Sequence, residues 1–527
     1  MKYDVIALIL AAAKEFGPKT AISQGKKYYT YAEFSAGIIN ISNNLVARGV
    51  KPGDRFFFSV RPDPDGIMLA LGIVASGGVL VFADPGMAPE LFQARLELCK
   101  PRYAAVESLL YLASTRPATW VASKKGWAVP DYRNMPVEGH FYSGFRFPGV
   151  PQQAESVVSL LRNQPSPVLP ETSNPAAESI IAFTSGTTSH PKCVRHSRNS
   201  IGSGMHSFIQ RCRIDEDSYI LTDHFNFGVT AMITGGHWAI PEYSPAKNVS
   251  KWLKELTSKE VTHTFLVPAD TTLMLNEIEK KGLAGQVSLG TLAMGAAPVL
   301  PSLIKRTNKI MPGTKVLAVY GMTEILPIAI VDGADKVNYT EGDLAGFVQP
   351  GIVATIHNPG LDGTGELVLS GPGLMLGYLG EDRIKEHRTG DSACFDEAGR
   401  LVLRGRLKDM LIRANKNIYP GLYEPSITDI EGIESCVIVG VQDVYGEDIV
   451  VLVLVPDNKK ESDTETVDRV KSKLPGIVDA DAMPDVILCL NQIPVAGRSS
   501  KPDRITLRSM ASESPEVTAI LEERDHG

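Results

Sequence analysis

The stretch Phe183-Thr184-Ser185-Gly186-Thr187-Thr188-Ser189-His190-Pro191-Lys192 gathers small residues, hydroxyls and one lysine directly after a short apolar run at 179–182. A polyphosphate needs this mixture: a backbone free enough to turn its N–H groups inward, hydroxyl donors and a cation. An ordinary Ser/Thr/Gly turn has the same composition. The spacing is not G-x-x-x-x-G-K-[ST], so a Walker-type nucleotidase is not expected. A second group is Tyr320-Gly321-Met322-Thr323-Glu324, reached through the aliphatic, β-branched run 316–319. Its ring can stack on adenine, its hydroxyl can bond a phosphate, and its carboxylate can hold magnesium. Three such groups at a strand's end suit a ligand crevice. Gly295-Ala296-Ala297-Pro298 follows the apolar run 289–294. Its small side chains leave room for a flat ring, and a tight turn would use them equally well.

These groups need a scaffold, and the chain reads as alternating strands and helices. Residues 19–34 read strand, turn, strand, helix, with Thr30 and Glu33 forming a capping box for a helix running to about Arg48. Gly49 closes that helix, and Pro52-Gly53-Asp54 turns into a strand at 55–60. A helix through Ala75, a break at Gly77-Gly78 and a buried strand at 79–83 come next, ended by Asp84-Pro85-Gly86. This alternation implies an α/β fold of layered, mostly parallel sheets. Residues 113–178, rich in Pro, Ser and Gln around Phe145-Arg146-Phe147-Pro148-Gly149, read as a long surface excursion before the core sheet resumes. The apolar run 5–13 reads as a first amphipathic helix rather than an export signal. Asp4 stands where positive charge should dominate, and Lys14-Glu15 where a cleavage site would be.

The 527 residues suffice for more than one domain and a large core. A hydrophobic content of 43% with 21% charged residues is that of an ordinary globular protein. The net charge of -7 argues against a nucleic-acid partner. Cys99, Cys193, Cys212, Cys394, Cys436 and Cys489 show no C-x-x-C pairing, which suggests reduced thiols and a cytoplasmic location. The longest apolar run, 67–83, is broken by Gly72, Gly77 and Gly78, so no membrane span is expected.

Taken in order, these motifs resemble the adenylate-forming superfamily of acyl-CoA synthetases, peptide-synthetase adenylation domains and luciferases. The family's phosphate loop usually reads T-S-G-T-T-G-x-P-K-G-V; here Ser189 and Cys193 stand where glycine is usual, implying a stiffer or differently shaped loop. Y-G-x-T-E is matched fully at 320–324, and Gly295-Ala296-Ala297-Pro298 resembles the turn that lies against adenine and the acyl group. Thr389-Gly390-Asp391 matches the family's T-G-D, whose aspartate holds both ribose hydroxyls, and a bidentate carboxylate suits a vicinal diol. Gly365-Glu366-Leu367 through Gly377-Tyr378 resembles its G-E-L…G-Y segment. Arg404-Gly405-Arg406-Leu407-Lys408-Asp409 resembles the end of the large domain, with Arg406 on the ribose and Lys408 as the hinge. The residues after it resemble the segment lining the thiol channel, with Asn415 for the usual glycine; asparagine tolerates positive φ. Near the end, Pro494 to Lys501 is one residue longer than the family's P-x-T-x-x-G-K, Ser500 replaces its glycine, and Lys501 still precedes Arg504 by three. Aligned on Gly228, the family's pocket histidine falls on Phe225, so His224 is expected to pack at a pocket edge without a catalytic role.

The resemblance covers about residues 20 to 510. It implies a core domain at 1–406 and a small mobile α+β domain at 407–527. It implies ATP-dependent conversion of a fatty or other carboxylic acid to acyl-AMP. Thr184, Ser185, Gly186, Thr187, Thr188 and Lys192 would hold the phosphates, with Gly295, Ala296 and Tyr320 at the adenine. Thr323 would bond the α-phosphate, Glu324 would hold Mg2+, and Asp391 and Arg406 would hold the ribose. Lys501 would bridge carboxylate and phosphoryl oxygens, then be carried away by rotation about Lys408. The acceptor is expected to be the thiol of CoA, with a separate carrier protein open as an alternative. Asp84-Pro85-Gly86 and Tyr320 to Pro327 are also similar to β-lactone synthetases, in which the acid's own β-hydroxyl closes a ring. A nucleotide-binding pseudoenzyme is the third expectation.

Overall fold

The structure is a computed structural model. It describes residues 3–83, 87, 89–116, 118–119, 129–161, 168–170, 174–183, 192–413, 416–443, 447–457, 462–496 and 501–526. The capping box is present in both arms: the Thr30 hydroxyl accepts from the Glu33 amide while the Glu33 carboxylate accepts from the Thr30 amide. It starts the helix Tyr31–Ala47, and Gly49, just beyond, takes φ 85°. The run read as a first helix forms Val5–Glu15, capped by Asp4, with Val5, Ile6, Ile9, Ala12 and Ala13 buried.

A first sheet has eight strands in the order Ile325–Asp332, Lys315–Met322, Thr291–Met294, His263–Leu266, Tyr219–Leu221, His237–Ala239, Thr20–Gln24 and Lys27–Thr30. Its six inner strands are parallel, and each edge strand joins antiparallel. Parallel strands require crossovers, which the helices Pro268–Lys280 and Pro301–Ile310 supply. A second sheet also has eight strands: Gly377–Tyr378, Cys193–Ser197, Glu178–Phe183, Val79–Phe82, Arg55–Ser59, Tyr103–Glu107, Gly139–Ser143 and Glu155–Ser156. From Glu178–Phe183 onward the pairing is parallel. The helix Pro64–Ala75 lies in the same hydrophobic cluster as Ile22 and Trp238 of the first sheet and Phe56 and Leu80 of the second. Every one of its residues except Asp65 is buried, as a helix covered on all sides requires. A Cβ at Gly72 would sit 2.5 Å from Ile41, so glycine there permits close approach to the helix Tyr31–Ala47.

The excursion expected at 113–178 needs correction. Gly139–Ser143 and Glu155–Ser156 extend the second sheet without interruption, and Tyr132, Phe141 and Leu160 are buried. These strands are short and flanked by Pro and Ser, so local composition hides a pairing made with residues 103–107, far back in the chain. Phe145 itself is exposed. Asp84, Pro85 and Gly86 lie outside the described residues.

A third sheet is wholly antiparallel: Asp343–Gly346, Leu401–Arg406, His387–Phe395, Gly365–Ser370 and Val353–His357. Beyond it, Ile433–Gln442 pairs antiparallel with Asp448–Pro456, which pairs parallel with Val486–Cys489. Alternate residues of this small sheet face two cores. Ile438, Leu452 and Leu454 pack with Val470 and Leu474, while Val439, Val451 and Val453 pack with Leu507, Ala511 and Val517. Among the described residues, buried clusters of the large part end at Val402 and those of the small part begin at Leu411. None of the six cysteines forms a disulfide, and among the described residues no helix is long and apolar enough to cross a membrane.

Gly235-Gly236-His237-Trp238 belongs to the core, with Trp238 fully buried. His237 Nε2 lies 2.8 Å from the Ser23 hydroxyl, joining two parallel strands. Burial, with Lys259 and Lys19 nearby, pushes its imidazole down to about 4. The unfolded ring titrates near 6.5. Its contribution is therefore full above that pH and is lost as pH falls toward 4. Unfolding measured between pH 7 and 4 should show a loss of up to about 3 kcal/mol from this group, and His237→Gln should flatten that part of the profile.

Candidate functional site

The strands Lys315–Met322 and Ile325–Asp332 form a hairpin whose tip is Thr323-Glu324. This tip is where the three large sheets meet. Beneath it, Ile325 and Ile328 of the first sheet, Val194 of the second and Leu367 and Leu369 of the third share one buried cluster. Burial of such side chains stabilises by about 1.5–3 kcal/mol each, so the meeting point is held by packing before any polar contact is counted.

Polar contacts then fix the tip from each neighbour. From the second sheet, His196 Nε2 lies 2.7 Å from the Thr323 carbonyl oxygen. A carbonyl only accepts, so Nε2 carries the proton. Its Nδ1 lies 3.1 Å from the Ser200 hydroxyl, and burial lowers the ring's pKa, which keeps it neutral. Tyr378 donates to Glu324 Oε1 at 2.8 Å, and the Met375 amide donates to the Glu324 carbonyl at 2.8 Å. From the third sheet, Asp391 accepts from the Tyr320 hydroxyl at 2.5 Å and pairs with Arg406 Nε at 2.8 Å. Asp391 and Arg406 are direct partners across an antiparallel strand pair, and Arg406 also donates to the Thr389 carbonyl at 3.1 Å. Burial, reinforced by the Asp391 charge, drives the Tyr320 phenol well above its ordinary range.

The structure thus brings Tyr320, Thr323, Glu324, Asp391 and Arg406 together. Lys192 joins them: its ammonium lies 4.7 Å from the centroid of the Tyr378 ring. Asp391 is buried, with the Tyr320 hydroxyl on one carboxylate oxygen and Arg406 on the other. Gly295 and Ala296 end the parallel strand beside Lys315–Met322. A Cβ at Gly295 would lie 3.0 Å from the Val319 carbonyl oxygen, and Ala296 takes φ 65°, a left-handed conformation costing about 1–2 kcal/mol for a non-glycine residue. Among the described residues no group of three or more His, Cys, Asp or Glu could hold a metal. A lone carboxylate such as Glu324 fits a magnesium ion carried largely by phosphates and water.

Thr184, Ser185, Gly186, Thr187 and Thr188 lie outside the described residues, as do Ser189 and Asn415. Cys193, in the other usual glycine position, is buried in a cluster with Phe57, Val81 and Cys99. The backbone of Lys501 pairs with Ala496, and its side chain is outside what the structure describes. Lys408 is exposed on the short turn Leu407–Asp409. His224 sits edge-on to Phe265 at 4.8 Å between ring centroids, and Phe225 packs against Phe82 and Trp238. His196 is not distinguishable in the sequence, because its partner Thr323 is 127 residues away.

The family model described as "AMP-binding enzyme" matches residues 9–379. The chain belongs to this adenylate-forming family. Among curated relatives, a substituted propanoyl:CoA ligase from Rhodococcus jostii is 24% identical, the alignment covering 82% of this chain and 85% of that one. A 2-succinylbenzoate–CoA ligase from Staphylococcus epidermidis is 27% identical over 56% of this chain and 63% of its own length. A mitochondrial medium-chain acyl-CoA ligase from Bos taurus is 26% identical over 61% of this chain and 56% of its own. The last two alignments span less than two thirds of those relatives. Among solved structures, the amide bond synthetase McbA from Marinactinospora thermotolerans superposes with a TM-score of 0.77 at 19% identity, covering 96% of this chain and 99% of that one. ATP-bound MatB from Rhodopseudomonas palustris gives 0.75 at 20% identity, covering 97% and 99%. These share the fold, including the two-domain architecture. The chain is therefore an acyl-AMP-forming type of enzyme with CoA ligases among its relatives.

His196→Ala would leave the Thr323 carbonyl without its donor. Denaturant unfolding should show a loss of about 1–3 kcal/mol. His196→Gln, which can still present an N–H, should recover part of it. Equal stability of all three proteins would remove His196 from the support of the tip.

Proposed function

We propose that this chain activates a carboxylic acid with ATP to acyl-AMP, releases pyrophosphate, and passes the acyl group to the thiol of CoA. The observation that carries the reading is the convergence of Tyr320, Thr323, Glu324, Asp391, Arg406 and Lys192 at one hairpin tip. A carboxylate is a poor electrophile because its leaving group would be oxide. Attack of its oxygen on the α-phosphorus breaks the bond to the β-phosphate, and the resulting anhydride has AMP as a good leaving group. Thiolate attack on the acyl carbon then expels AMP.

In this reading Tyr320 lies against adenine, and Gly295 and Ala296 leave space for the ring. Asp391 and Arg406 bind the ribose. The loop 184–188 and Lys192 offset phosphate charge, and the Thr323 hydroxyl bonds the α-phosphate. Glu324 would hold Mg2+, which offsets charge on the phosphates when bound. Lys501 reaches the reacting oxygens in the adenylating arrangement. We place the division between the domains at 406/407, where the buried clusters part, with Lys408 as the pivot. CoA as acceptor rests on the CoA ligases among the relatives.

The test is a panel of aliphatic, aromatic and β-hydroxy acids with ATP and Mg2+, with and without CoA, read by mass spectrometry. CoA-dependent AMP with an acyl-CoA product is expected. A lactone formed without CoA would overturn the thiol acceptor, and absence of AMP with every acid would overturn the activation itself. Lys501→Ala should slow adenylation by about 100- to 1,000-fold. Asp391→Asn should raise the ATP KM by about tenfold, as expected for hydrogen bonds to a charged group; an unaltered KM would place that carboxylate off the nucleotide.

A further inference from the structure

Tyr378 is half-buried on the two-residue strand Gly377–Tyr378, at the edge of the second sheet. Its register partner is Val194, on the strand that begins directly after Lys192. One phenol therefore stands between two groups that come from different sheets. Its hydroxyl donates to Glu324 Oε1 at 2.8 Å, and its ring lies under the Lys192 ammonium at 4.7 Å from the centroid. The ring is steadied on a third side by His387, edge-on at 6.4 Å between centroids. A carboxylate oxygen only accepts, so the hydroxyl is the donor of this bond.

This arrangement has two chemical consequences. A carboxylate held through one oxygen by a phenol cannot rotate freely, and it presents its other oxygen in a fixed direction. A cation lying on an aromatic face is held without a competing counter-charge, so its charge stays available to an anion. Glu324 and Lys192 are 132 residues apart in the sequence, and Tyr378 is a single side chain in contact with both.

We propose that Tyr378 is a positioning residue that sets Glu324 for a divalent cation and Lys192 for the phosphates of the same nucleotide. The proposal rests on the adenylate-forming function proposed for the chain, and on Glu324 as the cation's carboxylate. Phenylalanine at 378 keeps the ring under Lys192 and removes only the hydroxyl; leucine removes both.

The test measures binding rather than turnover. Mn2+ replaces Mg2+ as a paramagnetic probe, and its binding in the presence of ATP is titrated by electron paramagnetic resonance. ATP binding without divalent metal is measured by calorimetry. Thermal melting first confirms that each variant is folded. Tyr378→Phe should weaken Mn2+ binding by about 10- to 100-fold, the usual effect of removing a hydrogen bond to a metal carboxylate, with metal-free ATP binding unchanged. Tyr378→Leu should in addition weaken metal-free ATP binding by about two- to fivefold through Lys192. Glu324→Gln is the reference. If it weakens Mn2+ binding and Tyr378→Phe does not, the role of Tyr378 is overturned while the assignment of Glu324 stands. If neither variant changes Mn2+ binding, both are overturned.

Discussion

Asp391 is only 6% exposed, with a phenol on one carboxylate oxygen and a guanidinium on the other. A buried carboxylate without partners is expensive, so once this strand is folded inward the Tyr320 hydroxyl and Arg406 must be where they are. Tyr320 belongs to the first sheet, and Asp391 and Arg406 to the third. One phenol thus bridges those sheets, in addition to the packing beneath the tip and the bond from the Gln349 amide to the Ile328 carbonyl. Arg406 is 45% exposed, so solvent screens its half of the arrangement, and the constraint is more geometric than energetic. The remainder of the site depends on it. With the first and third sheets held together, the hairpin tip is carried against the second sheet, where His196 and Tyr378 meet it.

Much of this is legible in the sequence because the signals are local. The Thr30 and Glu33 cap needs residues three apart, and the structure forms it in full. The strand-then-tip reading of 316–324 depends on one β-branched run and the Tyr-Gly-Met-Thr-Glu motif at its end. The two-domain fold and the adenylate-forming family come from the order of motifs rather than from any one of them; the family match bears out the family, and the likeness to solved structures bears out the fold. The features that escape a sequence reading are made by distant pairing. His196 shows no periodicity or spacing that marks it, and Tyr378, although it closes the G-E-L…G-Y segment, shows no sign there of its link to Glu324, which arrives from another sheet. Residues 139–143 and 155–156 are hidden by proline- and serine-rich surroundings, although they extend a parallel sheet begun at residue 55.

Departures from a motif also acquire a physical account. A side chain at position 193 looks like a loss of backbone freedom when only the sequence is considered. In the structure the Cys193 side chain fills part of a core that also contains Phe57, Val81 and Cys99. Cysteine there behaves as a small apolar residue at the start of a strand.

Arg504 gives the junction between the two parts of the chain a particular mechanical character. Its guanidinium reaches Asp409 at 3.5 Å, Glu424 at 2.7 Å and the Ile438 carbonyl at 2.6 Å. Glu424 and Ile438 lie within the small part, so Asp409 is fastened to it. In the proposed rotation about Lys408, the bonds left to turn are the few that precede Asp409, beside Gly405 at φ 137°. Under that proposal, a short swivel with a rigid arm would convert a modest change in backbone torsion into a long sweep at the arm's end. Lys501, three residues from Arg504, rides on that arm.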